Sequence, residues 1–72
     1  MTHVFVVTHT DMETDTHVAG VAASEEGAKK LVADLFEYIG EEMPVADRTA
    51  ANERQYTGIQ LRITITELEL SA

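Results

Sequence analysis

Ser24 to Ile39 reads S-E-E-G-A-K-K-L-V-A-D-L-F-E-Y-I, and its period decides the fold. Ala28, Leu31, Val32, Leu35, Phe36 and Ile39 recur at alternating steps of three and one. That spacing draws one apolar stripe along a helix. Ser24 precedes the stripe as an N-cap, since its hydroxyl oxygen can accept from a free N–H of the first turn. Glu25 and Glu26 sit at the positive end of the helix dipole. Gly27 stands where a capping box would carry Glu or Gln. Glu25–Lys29 and Glu26–Lys30 are i,i+4 pairs on the outer face, each worth about 0.2–0.5 kcal/mol. Gly40 is a natural left-handed stop, and Pro44 bars resumption soon after. The stripe reads as core and not as a partner-binding face, because no other segment has a helical period.

On the N-terminal side, residues 3–10 (H-V-F-V-V-T-H-T) are β-branched and read as a strand. Residues 11–15 are polar and turn-like, and residues 16–23 (T-H-V-A-G-V-A-A) read as a second strand. A five-residue connection suggests a hairpin. Symmetric closure sets Thr10 against Thr16, His9 against His17, Val7 against Ala19 and Phe5 against Val21. On the C-terminal side, residues 41–55 have no sustained period and read as a long connection. Residues 56–70 read as a third strand, with Ile59, Leu61, Ile63 and Ile65 alternating with Gln60, Arg62, Thr64 and Thr66. The phase then slips: Glu67 and Glu69 continue the apolar positions, while Leu68 and Leu70 continue the polar ones. A bulge near Thr66–Glu67, or a tail packing on another chain, accounts for the slip.

The expected architecture is α+β, a single domain over residues 1–72 with ββαβ topology. A right-handed crossover gives a three-stranded, mainly antiparallel sheet of order 2-1-3 with one helix on one face. Because the face with three His matches the polar side of the third strand, Val4, Val6, Val18 and Ala22 are expected in the core. Gly20 would permit close helix approach, and Phe5, Val7 and Val21 would point outward beside Gln60 and Arg62. The opposite register makes Phe5 core, since a one-residue shift exchanges the faces.

The chain has 72 residues, no Cys, and thirteen acids against five bases, for a formal net charge of −8. A domain this small buries only about 60% of its unfolded surface, which favours oligomerisation when no disulfide helps. Five bases do not make a phosphate-tracking patch, so direct nucleic-acid binding is not expected. No apolar run approaches the ~20 residues of a membrane span, and the N-terminus lacks the pattern of a secretory signal. A cytoplasmic protein with no membrane association is the expectation.

Val4-Phe5-Val6-Val7-Thr8-His9, Gly20-Val21-Ala22-Ala23-Ser24-Glu25-Glu26 and Ala28-Lys29 together resemble a group of small uncharacterised phage and bacterial proteins. Their pattern is a V-[FY]-V-x-T-H strand and a G-V-x-S-S-E-E-x-A strand-to-helix junction. The resemblance covers residues 3–39 and carries over no catalytic residue. Here Ala22 replaces a larger aromatic residue and Gly27 a better helix former. It implies a phage accessory protein made in the host cytoplasm.

For chemistry, His9 to His17 reads H-T-D-M-E-T-D-T-H and alternates five metal-ligating side chains: His9, Asp11, Glu13, Asp15 and His17. Cross-strand pairing puts His9 and His17 side by side, and with Asp11 they form a candidate site for Zn²⁺, Ni²⁺ or Cu²⁺. The competing reading is a polar turn with solvated acids. The loop is not an EF-hand, since it lacks the sixth-position Gly and carries Ala22 at the twelfth. There is no Cys nucleophile and no G-x-S-x-G, Walker, Rossmann or H-E-x-x-H pattern. The expectation is a non-enzymatic protein without a cofactor, acting by contact with a host or phage protein and forming a homodimer. Phe5, Val7, Val21 and Arg62 are the candidate sheet-face contacts, and Leu68 and Leu70 the dimer or tail contacts. Two alternatives remain. One is an acidic nucleic-acid mimic inhibiting a host nuclease or defence complex, using Asp34, Glu37, Glu41 and Glu42. The other is a metal-binding protein using the 9–17 loop.

Overall fold

The computed structural model describes residues 2–11 and 15–70. Its elements are β1 (Thr2–Asp11), β2 (Thr16–Ala22), α1 (Glu25–Tyr38), β3 (Asp47–Ala50), β4 (Glu53–Thr57) and β5 (Leu61–Leu70). They form an α+β fold with a five-stranded antiparallel sheet of order β2-β1-β5-β4-β3. The expected three-stranded sheet is therefore corrected: the segment expected to be a loop supplies a further hairpin, and the expected third strand is two strands. The physical reason is local. β3 (D-R-T-A) is exposed along its length, so it has no buried phase to alternate. β4 buries only Tyr56. The turn between β4 and β5 closes where the Gly58 N–H donates to the Leu61 carbonyl at 2.9 Å, leaving Ile59 exposed in the turn and out of the core.

The helix follows its sequence signals. Ser24 Oγ accepts from the Gly27 N–H at 3.1 Å. At the other end Gly40 adopts φ 76°, and two backbone bonds close the terminus: Gly40 N–H to the Glu37 carbonyl at 3.1 Å, and Glu41 N–H to the Phe36 carbonyl at 2.9 Å. This pair of bonds is the Schellman arrangement, which a residue without a Cβ adopts most readily. Glu41 then reaches across with its side chain. Its two carboxylate oxygens accept from the Ile59 and Gln60 N–H groups at 2.7 and 3.0 Å. One residue thus ties the helix terminus to the β4–β5 turn. At the N-terminus, Glu25 pairs with Arg54 of β4 and lies 3.7 Å from Lys29.

The core comprises Val7, Ala28, Val32, Phe36, Tyr56, Ile63 and Ile65, with Phe5, Leu31, Leu35 and Leu61 among the residues packed around it. Each fully buried Val, Ile or Phe among them stabilises the fold by about 1.5–3 kcal/mol over leaving it exposed. Val7 has no exposed surface, so the expected outward placement of Phe5 and Val7 is corrected. The cause is a bulge in β2. Thr10 faces Thr16 and His9 faces His17 as symmetric closure requires, but Thr8 faces Val18 and Val7 faces Gly20, leaving Ala19 as the extra residue. Beyond the bulge the pairing is shifted by one, so Phe5 faces Ala22 and Val6 faces Val21. Phe5, Val7, Gly20 and Ala22 therefore all lie on the helix side, a combination that an unbulged hairpin forbids. The small residues on β2 let α1 close down: a Cβ on Gly20 would stand 3.0 Å from Leu31 Cδ1.

The phase slip in β5 needs no bulge. Its register with β1 runs unbroken from Thr2–Leu70 to Asp11–Leu61. α1 begins at Glu25, which pairs with Arg54, and Arg54 faces Ile65. Past Ile65 the helix side of the sheet turns polar, where Glu67 pairs with His3 at 2.7 Å. Leu68 and Leu70 fall on the opposite face.

Candidate interaction surface

One face of the sheet carries α1, and no described element covers the other. Residues directly opposite in register share a face, so the open side can be assembled row by row. Nearest the β1–β2 turn are Thr16, Thr10, Arg62 and Thr57, with the Thr10 and Thr16 hydroxyls hydrogen-bonded at 2.9 Å. The next row is Val18, Thr8, Thr64 and Gln55, followed by Val21, Val6, Thr66 and Glu53. Val4 then stands beside Leu68, and Leu70 lies at the far end.

The surface is divided chemically. Toward the far end, Val4, Val6, Val18, Val21, Leu68 and Leu70 form an apolar area, with Val18 67%, Val21 59%, Leu70 50% and Leu68 44% exposed. Toward the turn, Arg62 stands in register between Thr10 and Thr57. The chain has thirteen acids, yet β1, β2 and β5 place no carboxylate on this face. Among the described strand residues, acids reach it only on β3 and β4, as Asp47 and Glu53. A contiguous exposed apolar area is the usual mark of a contact surface.

The expected contact residues divide between the two faces. Val21, Arg62, Leu68 and Leu70 are exposed and lie together on the open face. Phe5 and Val7 are on the other side of the sheet, in and against the core. Val4, Val6 and Val18, expected as core, are the surface residues the sequence reading missed. The available signal was the phase of Leu68 and Leu70, which face Val4 and the strand end across an uninterrupted ladder.

The acids of the mimic reading differ in exposure and engagement. Asp34, Glu37 and Glu42 are exposed, but Glu41 is engaged with the β4–β5 turn, and Lys29 and Lys30 lie on the same helix. At the hairpin end, the His9 and His17 rings are 5.4 Å apart between centroids. Asp11 ends β1 nearby, while Glu13 lies outside the described residues.

No protein family, curated protein or solved structure matches the chain. No described helix is long and apolar enough to cross a membrane.

Proposed function

We propose that the protein is a non-catalytic interaction module that pairs through the open face of its sheet, first of all with a second copy of itself. The observation that carries this reading is the exclusion of carboxylates from the open face of β1, β2 and β5 in a chain of formal charge −8. Two equally acidic chains repel over most of their surfaces. They can meet where the acids are missing and apolar side chains are exposed. A two-fold pairing there is self-complementary, each copy setting its Val and Leu area against the same area of the other. Two sheets packed this way stand about 10 Å apart. The small core of a 72-residue chain gives such a pairing a thermodynamic role, because it adds buried apolar area that one copy lacks.

The resemblance of residues 3–39 to small phage and bacterial proteins supports an accessory role in the host cytoplasm, with the paired face or its rim meeting a further protein. Sedimentation equilibrium over roughly 1–200 μM tests the first step, a range suited to the micromolar affinities of modest interfaces. The expected result is a dimer that dissociates on introduction of Val6→Asp or Leu68→Asp and persists with Glu37→Gln on the helix face. A wild-type chain that stays monomeric throughout, or a dimer unaffected by both open-face substitutions, overturns the reading.

A further inference from the structure

The geometry points to a divalent transition-metal site at the tip of the β1–β2 hairpin, with Asp11, Asp15 and His17 as ligands. One ligand atom from each of these three side chains lies within 4.8 Å of the others. Bound Zn²⁺ holds N and O ligands at about 2.0–2.2 Å, which sets tetrahedral ligand atoms about 3.4 Å apart. All three side chains are exposed, and closure onto an ion is a matter of rotamer adjustment about the Asp11 carboxylate, which already accepts from the Asp15 N–H.

The hairpin itself preforms the arrangement. The Asp11 N–H donates to the Asp15 carbonyl at 3.1 Å, and the Asp15 N–H donates to Asp11 Oδ1 at 3.2 Å. These bonds bring Asp15 back over the end of β1. The pairing of His9 with His17 sets the His17 ring on the same side of the ladder as Asp11, and the His9 ring flanks it. The ligands therefore come from both arms of the hairpin, and a bound ion would join them.

Donor chemistry selects the class of ion. Two carboxylates neutralise a dication, and one imidazole nitrogen favours Zn²⁺, Ni²⁺ or Cu²⁺ over the oxygen-seeking Mg²⁺ and Ca²⁺. Residues 2–22 contain no Lys or Arg and the chain as a whole is strongly acidic, a setting that attracts cations; Arg62 of β5 lines a pocket with Asp11 and is the cation a metal would share that carboxylate with. The set differs from the sequence expectation by exchanging His9 for Asp15. It is independent of the open sheet face, since His17 and Asp11 belong to the opposite side of the ladder.

The test is a Zn²⁺ titration of the full chain, read by thermal melting and by NMR of the three His rings. The expected result is a melting temperature raised by about 5 °C or more at saturation, with His17 signals moving and His3 signals still. His17→Gln and Asp15→Asn should each weaken Zn²⁺ binding at least tenfold, while His3→Gln should leave it unchanged. Static His17 signals at millimolar Zn²⁺ overturn the site without recourse to any variant. So does a Zn²⁺ response that survives His17→Gln, or an equal response to Mg²⁺ alone.

Discussion

The two faces of the sheet are built from the same strands and much the same residue types, yet only one is a core. On β1 the run Val4-Phe5-Val6-Val7 is apolar on both sides. Val7 is completely buried under α1, while Val6, its neighbour in the chain, lies on the open side. Hydrophobicity therefore does not choose the inner face here. What chooses it is the company each residue keeps: Val7 lies between Gly20 and Ile65, and Val6 between Val21 and Thr66. The inner row offers a small residue and an opening for the helix. The outer row offers only more surface.

Adjacent substitutions sharpen this contrast most. Val7→Asp buries an unpaired charge beneath α1 and should cost on the order of 4 kcal/mol or more, enough to unfold so small a domain. Val6→Asp should leave a folded chain that melts close to the wild-type monomer and fails to dimerise. Circular dichroism melts paired with sedimentation separate the outcomes, and equal destabilisation by both would erase the distinction between the faces.

Truncation should show the same asymmetry on a smaller scale. Phe36→Ala removes the largest fully buried side chain and should cost about 3–5 kcal/mol. Leu68→Ala on the open face should change monomer stability by less than about 0.5 kcal/mol. Urea denaturation of both variants, below the dimer's dissociation constant, provides the comparison. Next in size is Gly58→Ala. Its added Cβ would stand 2.6 Å from Phe36 Cε1 and 3.0 Å from the Leu61 carbonyl oxygen, so a loss of about 1–3 kcal/mol is expected. Smaller than Gly58→Ala is Ser24→Ala, which removes the bond to the Gly27 N–H and should lower stability by about 1 kcal/mol with the dimer unaffected.

The helix was legible because its signals are local. A cap, a 3.6-residue stripe and a stop glycine lie within one stretch, and each acts on its own neighbours. The hairpin was legible only near its turn, where Thr10–Thr16 and His9–His17 pair symmetrically. Its bulge at Ala19 follows from how α1 seats against Gly20 and Ala22, which is a long-range packing outcome. β3 left little trace because an edge strand with both sides wet needs no alternation, and β4 little more because it buries only Tyr56. Glu41 illustrates the same limit. In the sequence it looks like a solvated loop acid, and only the fold brings the Ile59 and Gln60 amides to its oxygens. The open face was half legible: Leu68 and Leu70 announced it through their phase, but Val4 and Val6 carry no mark that separates surface from core.

The strand order bears on the sequence in which the sheet can assemble. β5 lies between β1 and β4, and its last paired residue, Leu70, joins Thr2 across almost the entire sequence. Until β5 is in place, β1 lacks one of its two neighbours and the β3–β4 hairpin has nothing to dock on. The nascent chain can wind α1 and close its first hairpin, but the sheet waits for the final strand. A chain cut shortly before β5 would keep its helix and lose Ile63 and Ile65, two of the core residues the helix covers.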